Sequence, residues 1–589
     1  MGVFKIPSPN PTLSKNGFDL SSRRVFSAPA GALLPVGCWE TNPNEHFQIS
    51  VQDLVRTQPL NTAAYTRCKE YYHFFFVPYK SLWRFSDQFF TGVSNGDSAF
   101  FVPVFKGPDK LTDDNDNFNW TPKTLPHFDF AKLLDRFYYG KRQDALGYSF
   151  SNGAFRLLNL LEYGVTCDGE MVDYSKLSTP LKGISYSKNP SSKGLTCTPN
   201  PFRLFAYQRI YNDFYRNQQW EKSDVFSFNC DYAQDDPHLD ITLDAIEAAC
   251  TLRYRQWPKD WLTSSIPSAN YNEGIFNLPS YLGNVGSSVT RLNTGDGVVI
   301  DTSVSTEHDG HVSFGGSSSI AVNDIRAAFA LDKMLEVTRR ANGLDYSSQI
   351  AAHFGFKVPE SRRNCAQFIG GFDNQVVVDE VTATANGSVT AGSSSSSSVV
   401  GQVFGKGIGS MNSNVISYDT KEHGIIMCIY SVVPQVDYNS FYMSNFNRKL
   451  TREQFYQPEF QNLGYVPLSG YDMVMTTGAD DNKASAHNNA TLGYVPRYQE
   501  YKTGRDVVFG EFISGKSLSA WTTPRIDLFR SRGDLVNLTP SDFMIDPKVL
   551  DSVFSVSYDG HPKFDQFLIN SFFNIKAVRP MSVTGLSSI

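Results

Sequence analysis

A mainly β, loop-rich fold is predicted for this chain by three observations. The segment Tyr65–Phe90, YTRCKEYYHFFFVPYKSLWRFSDQFF, opens with alternation and then becomes a solid aromatic run. Aromatic residues make up 14% of the 589 positions, and they favour strands and subunit contacts. The 30 prolines and 43 glycines are spread along the chain, as many loops between strands require.

In that first segment Arg67, Lys69 and Tyr71 fall on one side and Cys68, Glu70 and Tyr72 on the other, before the apolar run Phe74–Val77. The switch predicts a strand that begins half exposed and ends buried on both faces. Pro78 has no N–H for a ladder and should end it. Ser81 is placed to cap a short helix with Trp83, Phe85 and Phe89 or Phe90 on its buried face. So aromatic a strand belongs at the centre of a large β core.

Length alone suggests about four domains at ~150 residues each, but a single β domain with long insertions reaches the same size. Charged residues are only 19%, which points to surface hidden in an assembly. The net charge of −6 excludes a surface that binds nucleic acid everywhere; any such contact is a local patch or needs a basic partner. Cysteines 38, 68, 167, 197, 230, 250, 365 and 428 show no CxxC and no regular spacing. They read as reduced, buried, small apolar residues rather than metal ligands. The N-terminus has prolines where a signal peptide needs an apolar run. The run Ile425–Val433 is too short to span a membrane, so no membrane insertion is expected.

Taken in order, residues 1–30 are rich in Ser, Pro and Asn and read as an extended arm anchored by Phe18-Asp19-Leu20-Ser21. Leu33–Trp39 and His46–Arg56 are short strands. Residues 91–200 are a loop-rich insertion with helices at Phe130–Tyr138 and Phe155–Tyr163. Residues 201–220 are helical, with Phe202, Phe205, Ile210 and Phe214 near a helical period. Residues 267–320 form a long Gly/Ser/Asn/Thr-rich surface excursion. Asn323–Ala341 is the clearest helix: Asn323 caps it, Ile325, Ala328, Leu331 and Leu335 make a stripe, and Gly343 follows its end. Residues 376–415, with the run Ser393–Ser398, read as a flexible Ser/Gly-rich loop. His423–Val433 is a buried strand, and Asp565–Pro580 holds the last one.

Catalytic signals fail one by one. Gly510–Ser517, GEFISGKS, fits the phosphate-loop pattern by letter, but Phe512 and Ile513 fill the loop, Pro524 follows, and Val507–Ile513 alternates like a strand. Gly92–Gly96, GVSNG, follows a helix and precedes a loop, the wrong setting for a nucleophile turn. Asp113–Asn117 lacks the Gly and Glu of a calcium loop. His308 and His311 sit in a Gly/Ser stretch with no cysteine near them. No catalytic, cofactor or metal residue is assigned.

Nucleic-acid contact has one local signal, basic residues interleaved with aromatics. Arg203, Arg209 and Arg216 do this in one segment; Arg253, Arg255 and Lys259 do it beside Tyr254, Trp257 and Trp261. Single strands bind through phosphate contacts and stacking on rings. Arg–aromatic packing and intersubunit ion pairs account for the same pattern.

Several segments carry a resemblance. FFFVPYKSLWRFSDQFF resembles the "FFVP, then basic, then LW" signature of major capsid proteins of the Microviridae, in particular the gokushovirus-like branch of these small icosahedral single-stranded DNA phages. Phe18–Ser21 is similar to the family's FDLS start, and PFRLFAYQRIYNDFYRNQQW to its "R-A-Y, then YN-W/F-R" segment. LRYRQWPKDWLTSSI, residues 252–266, is similar to its basic–aromatic piece. The block Val322–Gly371 resembles "I-N-D-L-R-x-A … Y … HFG … P-x-x-R … GG". Asn445–Gly464 resembles "N-R … F-Y-x-P … LG", LGYVPRYQEY resembles "G-Y-x-x-R-Y-x-E-Y", and Asp565–Pro580 its last strand. The motifs recur in order from Phe18 to Met581.

The resemblance implies a single capsid domain over residues 1–589, an eight-stranded antiparallel jelly roll of the viral capsid type with long loop and helix-containing insertions. It implies sixty copies in a T=1 shell around circular single-stranded DNA, assembled in the bacterial host cytoplasm, and no enzyme activity. Expected partners are the chain itself, the genome on the inner face, a small basic DNA-binding protein and a minor pilot protein. A host surface receptor would meet the insertion 267–320, the insertion 91–200, or both. The rival reading is a jelly-roll carbohydrate-binding protein or glycosidase, which would need two carboxylates across a cleft. A receptor-binding spike is a third, and predicts a trimer or pentamer.

Overall fold

The computed structural model describes residues 15–61, 65–91, 125–172, 186–187, 197–233, 241–269, 322–341, 343–356, 358–359, 364–382, 387–391, 394–398, 403–477, 481–525 and 538–583. Ten strands form one antiparallel system. They are β1 (Asn16–Asp19), β2 (Ser22–Ala28), β3 (Leu34–Thr41), β4 (Glu45–Thr57), β5 (Cys68–Pro78), β6 (Gln367–Thr382), β7 (Val403–Asn412), β8 (Ile416–Thr420), β9 (Gly424–Pro434) and β10 (Phe567–Arg579).

β10 pairs with β1 and β2 on one side and with β4 on the other. β4 pairs next with β7 and β8. β6 carries the system round a corner: its first part pairs with β5, and Val377–Thr382 pairs with β7. β9 lies between β5 and β3. The β10–β4 end folds back over β5, β9 and β3. The ring of Phe573 in β10 is 5.5 Å from Trp39 in β3 and 6.1 Å from Tyr72 in β5. Two layers result, and no closed barrel is found among the described residues. The observed fold is thus mainly β and antiparallel, with ten strands in this one system among the described residues.

Side-chain alternation explains the layering. From β5, Tyr72, Phe74 and Phe76 enter the core between the layers with Phe47, Ile49 and Phe573. Phe75 and Val77 point the other way into a second core. β9 does the same, with Ile426, Cys428 and Tyr430 on one side and Ile425, Met427 and Ile429 on the other. A strand buried on both faces needs apolar residues without alternation, which is the continuous run seen in sequence. β4 and β10 alternate buried and open positions, since only one face of each is covered. Fully burying each such side chain is worth roughly 1.5–3 kcal/mol.

Helices line the second core. α1 (Ser86–Thr91), α2 (Phe130–Tyr139), α3 (Phe150–Leu160), α4 (Phe202–Ile210) and α5 (Leu243–Ala249) precede α6 (Val322–Arg340) and α7 (Tyr346–Phe354). α2 buries Phe130, Leu133, Leu134 and Phe137, one helical face, and Asp129 caps it by accepting from the Lys132 amide. The described part of residues 91–200 therefore packs α2 and α3 into the core rather than projecting them. α3 starts five residues before the expected Phe155. Its end is set by Glu162 and Gly164, both at positive φ.

Other boundaries differ for local reasons. Ser81 caps nothing; its hydroxyl donates to the Pro78 carbonyl inside a 3-10 turn, and α1 begins only at Ser86. α6 begins at Val322, so Asn323 lies in its first turn rather than before it. Residues 376–415 are largely strand: the end of β6, a hairpin of Gly387–Ala391 with Ser394–Ser398, and β7. The serines satisfy a ladder because backbone pairing is indifferent to side chain. Residues 16–28 of the expected arm lie as β1 and β2 on this chain's own β10. The nucleophile-turn and calcium-loop lookalikes at 92–96 and 113–117, His308 and His311, and the excursion 267–320 beyond residue 269 lie outside the described residues. No helix among the described residues is long and apolar enough to cross a membrane.

Candidate nucleic-acid and assembly surfaces

The six basic residues read as nucleic-acid contacts surround α4 and the strand-like segment after α5. α4 is buried on nearly every side, so its polar groups have to be paired inside the protein. The Tyr207 hydroxyl donates to the Leu33 carbonyl at 2.9 Å and accepts from the Arg253 amide at 3.0 Å. Gln208 donates to the carbonyls of Ala249 and Thr251 and accepts from Arg253 Nε at 2.8 Å. α4 continues into a π turn, Tyr211–Tyr215, that presents Tyr211 and Asp213.

Each arginine meets a partner there. Arg203 pairs with Glu162 at 2.9 Å and reaches Glu40 at 3.8 Å. Arg209 pairs with Asp213 at 2.8 Å, donates to the Asn364 carbonyl and stacks over Phe228. Arg216 donates to the Glu221 carbonyl at 2.6 Å, while Arg253 lies over Tyr211 and 3.8 Å from the Glu221 carboxylate. Arg255 is 4.0 Å over Tyr71 and donates to Ser431 Oγ at 2.9 Å. Burial pushes its proton affinity down from the ordinary guanidinium value. Burial, and secondarily Arg255, also holds His73 at about 4, so His73 is neutral beside the Tyr215 hydroxyl. Lys259 is exposed, and no ion pair is found for it among the described residues. Arg–aromatic packing, intrachain ion pairs and, for Arg216, a backbone carbonyl thus occupy five of the six; their partners come from segments up to 184 positions away (Arg255 to Tyr71).

A second site was not legible as a unit in the sequence. The turn after Asn445–Arg448 and the loop after the hairpin of Tyr465–Ser469 with Thr491–Pro496 come together. Lys449 is caged there: its ammonium is 4.7 Å from the Phe446 ring, 5.6 Å from Phe455 and 4.5 Å from Tyr501. It pairs with Glu500 at 2.6 Å, and the two side chains are only 3% and 8% exposed. Tyr498, at positive φ, buries its ring and ties down the 455–457 loop through its hydroxyl. Around this support Phe446, Phe455, Tyr456 and Tyr501 remain 45–48% exposed, and Leu450 is 89% exposed. The two segments each carry one of the family-like motifs, but their meeting depends on the fold.

The phosphate-loop lookalike has no such geometry. Strand structure stops at Val508, Gly510–Phe512 is a 3-10 turn, and Ser519–Trp521 is another; Glu511 accepts from Ser517. No α-helix opens at Lys516 to present amides to a phosphate. Among the described residues no group of three or more His, Cys, Asp or Glu is placed to hold a metal. The eight cysteines are free thiols, six of them buried.

Comparison with known proteins gives a consistent result. The family described as "Capsid protein (F protein)" matches residues 8–138 and 174–589. Capsid protein VP1 of Chlamydia phage 1 is 23% identical over 99% of this chain and 97% of its own length. Capsid protein VP1 of Bdellovibrio phage phiMH2K is 24% identical over 54% of this chain and 61% of its own.

Proposed function

The chain belongs to the capsid protein (F protein) family, and from that premise we propose that sixty copies close into a T=1 icosahedral shell around circular single-stranded DNA. It is a structural capsid protein and a virion component, not an enzyme. The observation that carries the proposal is that the family match takes in all ten strands of the two-layer system, from β1 to β10. The jelly-roll arrangement is our reading of how those layers are wound. Two packed sheets make a stiff body, and its loops carry the contacts. A specific contact buries on the order of 1,600 Å² in total, and closed symmetry multiplies contacts that are individually modest.

The genome contact belongs to the inner face. A net charge of −6 per chain cannot neutralise DNA, so a small basic protein or polyamines should accompany it, with a minor pilot protein as a further partner. Of the six basic residues, Lys259 has the open ammonium for a phosphate, whereas the arginines serve mainly to hold α4 and its neighbours in place. Residues 267–320 and the remainder of 91–200 are proposed to meet a host receptor. Deleting 275–315 should leave assembly intact and impair attachment; loss of assembly would place that span in the shell. The primary test is negative-stain electron microscopy with sedimentation of the protein from expressing or infected cells. Uniform shells support the proposal, and a species that stays monomeric under all assembly conditions overturns it.

A further inference from the structure

The aromatic surface around Lys449 is only half used within the subunit: Phe446, Phe455 and Tyr501 cage the buried ammonium and leave nearly half of each ring open. The rings form a connected set: Phe446 and Tyr501 are 5.2 Å apart, Tyr456 and Tyr498 5.1 Å, and Tyr456 and Tyr501 6.2 Å. Four half-exposed rings offer on the order of 100 Å² each, and Leu450 adds to them at the rim. That is as large as the biggest apolar patch on an ordinary monomer, and about half of what one partner brings to a standard interface.

The charge around the patch decides what kind of partner fits. Its interior cations are spent: Lys449 on Glu500 and Arg448 on Asp472. Arg505 is held between the rings of Trp261 and Tyr442, 4.0 Å from each. The exposed charges over residues 449–464 and 497–506 are Arg452 and Lys502 against Glu453, Glu459 and Asp506, a balance of −1, and the half-buried Arg497 lies against the Tyr498 ring. A single strand of DNA needs uncompensated cations along the rings to pay for its phosphates. A protein interface needs a rigid apolar centre and a balanced polar rim. The patch has the second character. Its rings are also pre-organised, because the buried Lys449–Glu500 pair and Tyr498 hold them in place before anything docks.

We propose that Phe446, Phe455, Tyr456 and Tyr501, with Leu450 at the edge, form a contact between copies of this chain. The inference rests on the shell-forming reading and names one surface through which it works. The test compares wild type with Leu450→Asp and with the double variant Phe446→Ser/Tyr456→Ser. Concentration-dependent self-association is read by sedimentation velocity, shell closure by electron microscopy, and folding by the thermal midpoint of the unassembled subunit. Leu450 touches solvent over most of its surface, so Leu450→Asp should keep the wild-type midpoint.

The expected result is a rise of about tenfold or more in the concentration needed for association in both variants. Loss of association in the variants supports the contact even where wild type stops at small oligomers. Wild-type shells with unchanged association in both variants would overturn the contact and leave the capsid reading standing. A wild type that does not associate at any concentration would overturn both. A labelled oligo-dT, followed by fluorescence anisotropy at low and high salt, covers the other class of partner. Variants that assemble normally but lose oligo-dT binding would make the patch a nucleic-acid surface and refute the proposal.

Discussion

Replacing Glu70 with Gln should flatten the pH dependence of the subunit's stability between pH 5 and 8. Glu70 lies in β5 with no exposed surface. Asn374 of β6 donates to one carboxyl oxygen at 2.8 Å, and the Tyr430 hydroxyl of β9 to the other at 3.1 Å. Across the interlayer core stands Asp53 of β4, itself accepting from the Tyr72 hydroxyl. Burial first, then the Asp53 charge, pushes the Glu70 carboxyl up from 4.5 to about 8, and none of the groups that set it is a cation. The folded state therefore keeps a proton that the unfolded chain loses. The sign follows: the stabilisation is fully present below pH 4.5 and is lost as pH rises through about 8. The slope is about 1.4 kcal/mol per pH unit, so roughly 4 kcal/mol separates pH 5 from pH 8. Gln carries the amide hydrogen where the acid carries its proton, so the variant should lack this slope. Urea midpoints by tryptophan fluorescence at pH 5, 6, 7 and 8, at one protein concentration, make the comparison. Titrating groups remote from Glu70 and Asp53 cancel between the two proteins. Parallel curves would refute the idea that Glu70 keeps its proton in the folded core.

Three further outcomes are expected. Asp565→Ala should cost about 3–5 kcal/mol, because Arg156, 2.9 Å away on α3 and equally buried, is left uncompensated; paired replacement by Arg156→Met and Asp565→Leu should recover much of the loss in the same urea assay. Gly31→Ala should lower stability by roughly 1–3 kcal/mol or more, since Gly31 has φ +77° and a Cβ there would stand 2.6 Å from Ile545; a thermal melt that matched wild type would contradict this. Lys259→Gln should reduce the salt slope of single-stranded DNA binding by about one, while Arg253→Gln should act mainly on the thermal midpoint.

Much of the fold was legible because it is written in short-range periodicity. The unbroken apolar runs of β5 and β9 announced strands covered on both sides. The place of α2 and the strand-ending Pro78 were equally local. The order of motifs from Phe18 to Met581 identified the family, since it needs only residue types in sequence.

Partner choice was not local. Whether Arg203 or Arg253 is open to phosphate depends on where Glu162 and Glu221 come to rest, and the packing of α4 and its π turn brings them within reach; Arg209 with Asp213, four residues on, is the local exception. Ser393–Ser398 looked flexible because serine side chains carry no packing signal; a neighbouring backbone edge made most of the run a strand. The exposed rings around Lys449 come from segments some fifty positions apart, joined by a hairpin whose register no pattern of residues revealed. Residue spacing thus determined the elements and their buried faces. Long-range packing decided which charges are neutralised and which apolar surface is left open for another subunit, because both depend on distances in space that sequence distance does not fix.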